Sequence, residues 1–244
     1  FFEHEKCKTV LKEAKKAQIH VLSVVLLKPF DESPIDNASR LIQFYGPVHF
    51  IKLGIQYLVF VLMDRFKLGH RSILRISEAH NVPTQKAKNV NSPSLISKLK
   101  DLSPDVILSV SAPQIFKKEL LETPKWGCVN IHSSQLPKYR GMLPNFWAMY
   151  HGESSAGITI HKMDTEIDRG KIILRGSVPI HTKQTLASLM KNSKREAADL
   201  AVRALKKIRD GKVQLQDFDG KSSYFSFPKR VHAKHLLEKG HRLL

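Results

Sequence analysis

Short apolar runs alternate along the chain with longer segments whose apolar residues recur at helical spacing. The stretch FFEHEKCKTVLKEAKKAQ predicts a helix, and the β-branched run HVLSVVLLK after it predicts a buried strand. The alternation continues with a short strand near TQKAKNV, a helix over SPSLISKLKDL, and the apolar strands DVILSVS and GCVNIH. Strands separated by helices of this length predict a doubly wound α/β fold, a mainly parallel sheet with helices on both faces.

The second half of the chain continues this pattern. GMLPNFWAMYHGE predicts a helix, SAGITIHKMD and KIILRGSVPI predict strands on either side of an acidic turn, and TLASLMKNSKREAADLAVRALKKIRDGK predicts a long amphipathic helix. The last stretch reads as an irregular basic tail that ends in a short helix. We therefore expect one α/β domain over residues 1–208, with its first strand before Phe1, and a basic extension over residues 209–244.

Residues 50–63 form the most apolar segment of the chain. A membrane-spanning helix needs about 20 apolar residues, whereas this run is shorter and contains Lys52 and Gln56. We interpret the segment as one or two helices that pack in the core or at a subunit interface rather than in a membrane. No transmembrane segment is expected, and a homodimer is consistent with this interpretation.

Composition narrows the classes of protein further. The 244 residues have ordinary apolar and charged fractions, which excludes disorder of the whole chain. The two cysteines, Cys7 and Cys128, are too few for a disulfide framework or a cysteine-based zinc site, so we expect buried thiols and a cytoplasmic location. The formal charge of +18 attracts phosphates in nucleotides, nucleic acids or membrane headgroups without selecting among them.

The segment NIHSSQLPKYRG begins where a predicted strand ends, which is where ligands bind in doubly wound sheets. Asn130 and His132 are two positions apart and point to the same side of an extended chain. An uncharged amide donor suits an oxyanion, and an imidazole moves protons near neutral pH. A histidine at a strand end is more often structural, so the pair needs a third partner to indicate a site.

The turn in MDTEIDRGKIIL offers such a partner, because it carries Asp164 and Asp168 with Gly170 behind them. By itself this is a common Asp- and Gly-rich turn. The order of the motifs, an amide and imidazole followed by a helix, a strand and an acidic turn, resembles the folate-dependent formyltransferases. The resemblance is strongest over residues 104–178 and fainter on either side.

The resemblance implies the family's activity and site. Asn130, His132 and Asp168 match the catalytic residues of a transferase that moves a formyl group from 10-formyltetrahydrofolate to an amine, without a metal or a cysteine or serine nucleophile. Two segments match the walls of the folate cleft. They comprise Ser111, Ala112, Pro113, Gln114 and Ile115 on one side, and Met163, Asp164, Thr165 and Glu166 on the other.

The acceptor amine is less defined. Methionyl-tRNA formyltransferases continue into a separate β-barrel that holds tRNA, whereas 76 residues follow Asp168 here (244 − 168). The segment RGMLPNFWAMYHGE is closer to sugar N-formyltransferases, although we expect Phe146 and Trp147 to be core residues rather than a stacking platform. We favour a small phosphate- or nucleotide-linked amine such as an amino sugar. The alternatives are an enzyme that formylates methionyl-tRNA, and a non-catalytic basic protein that binds nucleic acid or a membrane surface.

Overall fold

The computed structural model describes residues 3–27, 33–66, 68 and 72–244. The helices are α1 (Glu3–Lys16), α2 (Pro34–Tyr45), α3 (Pro47–Arg65), α4 (Ile73–Ala79), α5 (Pro93–Leu102), α6 (Lys118–Leu121), α7 (Pro144–Tyr150), α8 (Leu186–Arg209) and α9 (Arg230–Glu238). The strands are β1 (Val24–Leu27), β2 (Thr84–Ala87), β3 (Ile107–Ser109), β4 (Cys128–His132), β5 (Arg140–Gly141), β6 (Ser155–Lys162), β7 (Ile172–Pro179) and β8 (Tyr224–Phe225). Helical segments separate the strands β1 to β4, as the sequence predicts, with three successive helices between β1 and β2.

The strands form one four-stranded sheet and two smaller parallel pairs. The larger sheet has the order β3-β4-β6-β7, and the pairs are β1 with β2 and β5 with β8. β3 and β4 are parallel, whereas β6 runs antiparallel to both β4 and β7. The α/β class is confirmed, and the reversed direction of β6 is the feature that local sequence patterns do not specify.

Helices cover both faces of the sheet, and β4 shows the two sides. Its residues Val129 and Ile131 pack into the main apolar cluster with α7 and α8. Cys128 points to the other face, into a second cluster formed with α5 and α6. Because side chains alternate along a strand, Asn130 and His132 share the face of Cys128. The sheet therefore has its functional candidates on the side covered by α5 and α6.

The aromatic residues of α7 belong to the core. Phe146 is fully buried, and Trp147 is 5% exposed, so the expectation that both are core residues is confirmed. The indole Nε1 of Trp147 donates a hydrogen bond to the carbonyl oxygen of Ser226 at 3.1 Å. A buried indole needs such a partner. The two rings stabilise the attachment of α7 and leave no face free for a substrate.

The apolar segment forms most of α3, which follows α2 after a turn at Gly46. Only Leu53 of this helix is buried, whereas Val48 is 76% and Ile51 61% exposed. The core alternative is therefore wrong for most of the helix, and packing at a subunit interface stays a prediction. Within the described part of the chain, α3 is the one helix long and apolar enough to cross a membrane, by length and composition alone.

Residues 209–244 are more ordered than the predicted irregular tail. β8 pairs with β5, with Tyr224 opposite Arg140 and Phe225 opposite Gly141. The short terminal helix is confirmed as α9, and its Leu236 is buried in the main cluster. This extension thus packs beside the segment that follows β4. The domain boundary after residue 208 stays a prediction, and the strand expected before Phe1 lies outside the described residues.

Candidate active site

The register of two antiparallel strands brings the site side chains into one row. Asn130 on β4 lies directly opposite His161 on β6, and His132 lies opposite Thr159. Residues that face each other across a strand pair project to the same side of the sheet. The carboxyl end of β4 therefore presents an amide and two imidazoles on one face. This matches the same-face arrangement that the sequence predicts for Asn130 and His132.

The acidic turn after β6 adds a carboxylate to this row. Asp168 Oδ1 lies 3.4 Å from His132 Nδ1 and accepts a hydrogen bond from Asn130 Nδ2 at 3.5 Å. Asp168 Oδ2 accepts a hydrogen bond from the backbone N–H of Gly141 at 3.2 Å. The carboxylate side chain is 11% exposed. The structure thus brings together the three residues that the family resemblance selects.

Backbone contacts fix the path of this turn. Arg140 donates from Nε and Nη2 to the carbonyl oxygen of Ile167, at 3.1 and 2.6 Å. A Cβ atom on Gly170 would lie 1.6 Å from the carbonyl oxygen of Lys162, so the position requires glycine. Asp168 itself has φ of +52°, a left-handed conformation that aspartate adopts more readily than most residues. These constraints hold the carboxylate at its position beside β4.

The hydrogen bonds of His132 define where it can take up a proton. Its Nε2 is 3.0 Å from the carbonyl oxygen of Tyr139, which can only accept, so Nε2 carries the hydrogen. In the neutral ring Nδ1 is then unprotonated and faces Asp168. A proton that arrives at Nδ1 would form an ion pair with this carboxylate. The arrangement can therefore remove a proton from a nucleophile and hold it in a largely buried position.

His161 is a site residue that sequence reasoning missed. It is 2% exposed, and its Nε2 lies 3.2 Å from Asn130 Nδ2 and 3.8 Å from Asp168 Oδ1. Burial, followed by the charge on His132, lowers the pKa of His161 to about 4. Only the antiparallel register of β6 with β4 places His161 beside Asn130, and no local sequence pattern gives this register.

Each predicted wall of the folate cleft has one residue that packs against the second apolar cluster. Ala112 from one segment and Met163 from the other both pack against it. Gln114 holds the first wall in place, because its Oε1 accepts from the N–H of Val90 and its Nε2 donates to the carbonyl oxygen of Lys88, each at 2.7 Å. Both ends of this amide are therefore committed to the backbone, which gives Gln114 a positioning role.

The other predicted cleft residues differ in their surroundings. Ser111 accepts a hydrogen bond from the buried Lys6 Nζ at 3.3 Å, whereas the side chain of Ile115 is 60% exposed. Asp164 Oδ1 accepts from the N–H of Glu166 at 2.7 Å, which shapes the start of the acidic turn. A groove of about 510 Å³ beside this turn is lined in part by Met163, Asp164, Thr165 and Trp126. Pro113, in the first segment, is half-buried.

Both cysteines are thiols that form no disulfide; Cys128 is buried as expected, whereas Cys7 is half-buried. Burial raises the pKa of the Cys128 thiol to about 12, so it stays protonated and unreactive at neutral pH. Among the described residues, no cluster of three or more His, Cys, Asp or Glu side chains is arranged to hold a metal ion.

The amide, imidazole and carboxylate at the end of the central strand β4 can stabilise an oxyanion and move a proton, as an enzyme that transfers an acyl group requires. The model of the formyl transferase family matches residues 5–205 of this chain. The chain therefore belongs to the formyl transferase family.

Curated relatives match over most of this chain. Methionyl-tRNA formyltransferase of Pelobacter propionicus is 32% identical over 210 residues, which cover 80% of this chain and 66% of that protein. The bifunctional polymyxin resistance protein ArnA of Wigglesworthia glossinidia brevipalpis is 34% identical over 193 residues, 77% of this chain and 30% of that protein. The chain thus spans less than two thirds of the length of these relatives.

Solved structures share the fold. WlaRD, a sugar 3N-formyl transferase crystallised in the presence of dTDP and 5-N-formyl-THF, is 25% identical with a TM-score of 0.51, over 64% of this chain and 53% of that one. Phosphoribosylglycinamide formyltransferase from Bacillus halodurans has a TM-score of 0.61 at 19% identity, over 84% of this chain and 90% of that one. The second likeness shows the fold alone.

Proposed function

We propose that this protein transfers a formyl group from 10-formyltetrahydrofolate to an amine. The observation that carries the proposal is the contact of Asp168 with both Asn130 and His132 at the end of β4. Membership of the formyl transferase family supports the same reaction. The folate donor is supported by WlaRD, which was crystallised in the presence of 5-N-formyl-THF. Ala112 and Met163, which pack against one cluster, provide the two sides of the folate cleft.

Asn130 would act on the oxygen of the formyl group. When the amine attacks the formyl carbon, a carbon–nitrogen bond forms and the carbonyl oxygen becomes negative. An N–H of the Asn130 amide can donate to this oxygen without adding a charge of its own. In enzymes of this kind, loss of one such donor lowers turnover about a hundredfold to a thousandfold.

His132 would move the proton of the attacking amine. Its unprotonated Nδ1 accepts this proton, and Asp168 at 3.4 Å stabilises the resulting imidazolium. As the intermediate collapses, the bond between the formyl carbon and the donor nitrogen of the folate breaks, and His132 returns the proton to that nitrogen. One proton and one formyl group are thus exchanged, and no residue is left modified.

For the acceptor, we propose an amine on a phosphate-bearing small molecule, such as a nucleotide-linked amino sugar. The likeness to WlaRD, a sugar 3N-formyl transferase crystallised with dTDP, supports this class. The net charge of +18 favours phosphate-bearing acceptors of any size. A second candidate is methionyl-tRNA, favoured by the 32% identity to a methionyl-tRNA formyltransferase. The contacts of Asp168 favour catalysis over a purely binding protein.

Formyl transfer from 10-formyltetrahydrofolate can separate these candidates when full-length protein is assayed with a dTDP-linked amino sugar and with charged methionyl-tRNA. We expect the sugar to be formylated at similar rates at about 50 and 200 mM salt. Binding that depends on six to ten phosphate contacts weakens about 10³- to 10⁵-fold over that range. Rapid, salt-resistant formylation of methionyl-tRNA would instead establish the second candidate. Folded protein that formylates neither acceptor nor a wider panel of amines would refute formyl transfer.

A further inference from the structure

His161 has a buried imidazole that takes no part in the proposed proton transfer. It lies on β6 directly opposite Asn130, with 2% of its surface exposed. Its Nδ1 is 3.1 Å from the carbonyl oxygen of Lys162, and a carbonyl can only accept, so Nδ1 carries the hydrogen. The neutral ring therefore presents the lone pair of Nε2 to the row of site side chains.

That lone pair determines which end of the Asn130 amide can face it. The Nδ2 atom of Asn130 lies 3.2 Å from His161 Nε2 and 3.5 Å from Asp168 Oδ1. Both neighbours accept hydrogen bonds, so the amide must turn its NH₂ group toward them rather than its oxygen. The shorter bond anchors one N–H. The second N–H has only a long bond to Asp168, which a bond to a developing oxyanion can replace.

We propose that His161 is a positioning residue that selects the donor orientation of the Asn130 amide for catalysis. The inference rests on the proposed formyl transfer, because it assigns Asn130 the oxyanion. Without His161, only the long bond to Asp168 would hold the NH₂ group of Asn130, and the amide could rotate by half a turn and present its Oδ1 to the reacting oxygen. Attraction in the transition state would then become repulsion, while the volume occupied by the side chain would hardly change.

The charge state of His161 is part of this arrangement. A protonated ring would have two donors and no acceptor, and it would favour the reversed amide. The charged or titratable groups that face the ring are His132 on β4 and Asp164 and Asp168 on the turn. Burial and His132 lower the pKa of His161 and outweigh the two carboxylates, which raise it. The ring therefore remains a neutral acceptor at neutral pH.

The hydrogen bonds require opposite tautomers for the two histidines, which nitrogen NMR can test without any substrate. In full-length protein with ¹⁵N-labelled histidine at pH 7, we expect His161 to be neutral with its hydrogen on Nδ1. His132 should carry its hydrogen on Nε2 whenever its ring is neutral. The spectrum of His161→Gln assigns the resonances. A charged His161, or one protonated on Nε2 alone, would overturn the proposal.

Kinetics test whether His161 acts through Asn130. Because loss of the whole donor costs about 10²- to 10³-fold, His161→Leu should lower kcat about 10- to 100-fold with KM changed less than about threefold. His161→Gln, whose amide oxygen can accept, should retain more activity than His161→Leu. In the Asn130→Ala background, His161→Leu should have no further effect. The exposed His181→Leu is the matched control and should keep normal kcat.

The outcomes separate this inference from the proposed function. Independent losses for His161→Leu and Asn130→Ala that multiply in the double variant would overturn the positioning role. Equal kcat values for wild type, His161→Leu and His161→Gln would do so as well. If His161→Leu does not fold, His161→Gln replaces it in the same cycle. Its effect on kcat is then measured in the wild type and in the Asn130→Ala variant, and the difference gives the coupling between the two residues. Wild-type protein without formyl transfer would refute the proposed function, whereas the tautomer measurement would still report on the hydrogen bonds.

Discussion

Replacement of Asp168 by asparagine removes one negative charge beside His132 and leaves the shape of the acidic turn. The residue has φ of +52°, and asparagine tolerates this left-handed conformation at least as well as aspartate. An asparagine oxygen can still accept the hydrogen bond from the N–H of Gly141. We therefore expect a folded variant whose melting temperature lies within a few degrees of wild type, since the change keeps the side-chain size and a typical single substitution costs about 1 kcal/mol.

The catalytic loss should be much larger. Unit charges 3.4 Å apart interact by about 5 kcal/mol at an effective dielectric of about 20. Only 8% of the His132 side chain and 11% of the Asp168 side chain are exposed, so solvent screens the pair weakly. An amide dipole recovers part of this interaction. We expect kcat to fall about 100- to 1000-fold, which corresponds to roughly 3–4 kcal/mol, with little change in folate affinity.

Single-turnover formyl transfer, folate titration and thermal unfolding test this expectation together. Asp217→Asn is the matched control, because it removes a carboxylate that is 81% exposed and paired only with Lys171 at 3.5 Å among the described contacts. A folded Asp168→Asn protein with kcat within tenfold of wild type would refute stabilisation of a His132 imidazolium. A variant that unfolds would instead show that the carboxylate mainly holds the turn.

Three further predictions follow from the same site. His132→Ala should lower kcat about 10²- to 10⁴-fold while folate affinity, measured by titration, changes little; near-normal turnover would exclude His132 as the base. Gly170→Ala should sharply lower the free energy of unfolding measured in urea, because the new Cβ would meet the carbonyl oxygen of Lys162. Gly54→Ala in the open middle of α3 should instead raise this free energy by up to about 1 kcal/mol. Because the pKa of folded His161 is about 4 and that of an unfolded histidine about 6.5, only the unfolded chain takes up this proton in between. His161 should therefore contribute up to about 3 kcal/mol of stability above pH 6.5 that is lost as the pH falls to 4, and urea unfolding of His161→Gln at pH 7 and 4.5 should lack this part of the loss.

Local sequence was sufficient to predict part of the site. The apolar run before Asn130 predicts a strand, and the two-residue spacing to His132 predicts a shared face; the structure shows both. The approach of Asp168 is different, because it came from the family resemblance rather than from spacing. Its position depends on Arg140 and Gly141, which form β5 on another part of the chain. Such a contact is tertiary, and no local pattern of apolar residues contains it.

His161 shows the same limit more clearly. In β6, Ile158 and Ile160 are fully buried on one face, so Thr159 and His161 must lie on the other. The alternation of residues along the strand therefore predicts which side chains share a face. It does not give the direction of β6 or its partner, and a shift of one residue would have placed the isoleucines beside Asn130. The role of His161 could therefore be inferred only from the register between β4 and β6, which is fixed by the whole sheet.

The exposed helix α3 shows where composition and structure diverge. Its apolar residues indicated a helix correctly, but burial depends on the neighbours that the fold supplies. Val48, Ile51, Ile55 and Leu58 recur every three or four residues on the solvent side, away from the buried Leu53. A stripe with this spacing is typical of a helix that packs on another surface. Sequence could therefore predict that the helix has a contact face, but not which surface completes it.

The net charge leads to a related conclusion about the acceptor. A charge of +18 raises the local concentration of any phosphate-bearing molecule, because the attraction depends on charge and distance and not on shape. Amino sugars linked to nucleotides and aminoacyl-tRNA both carry phosphates, so the field attracts both. Discrimination between them has to come from contacts with the amine and its scaffold close to Asn130 and His132. Selectivity that persists at high salt is therefore the property that links the acceptor to the site, while salt-sensitive binding reports on the surface alone.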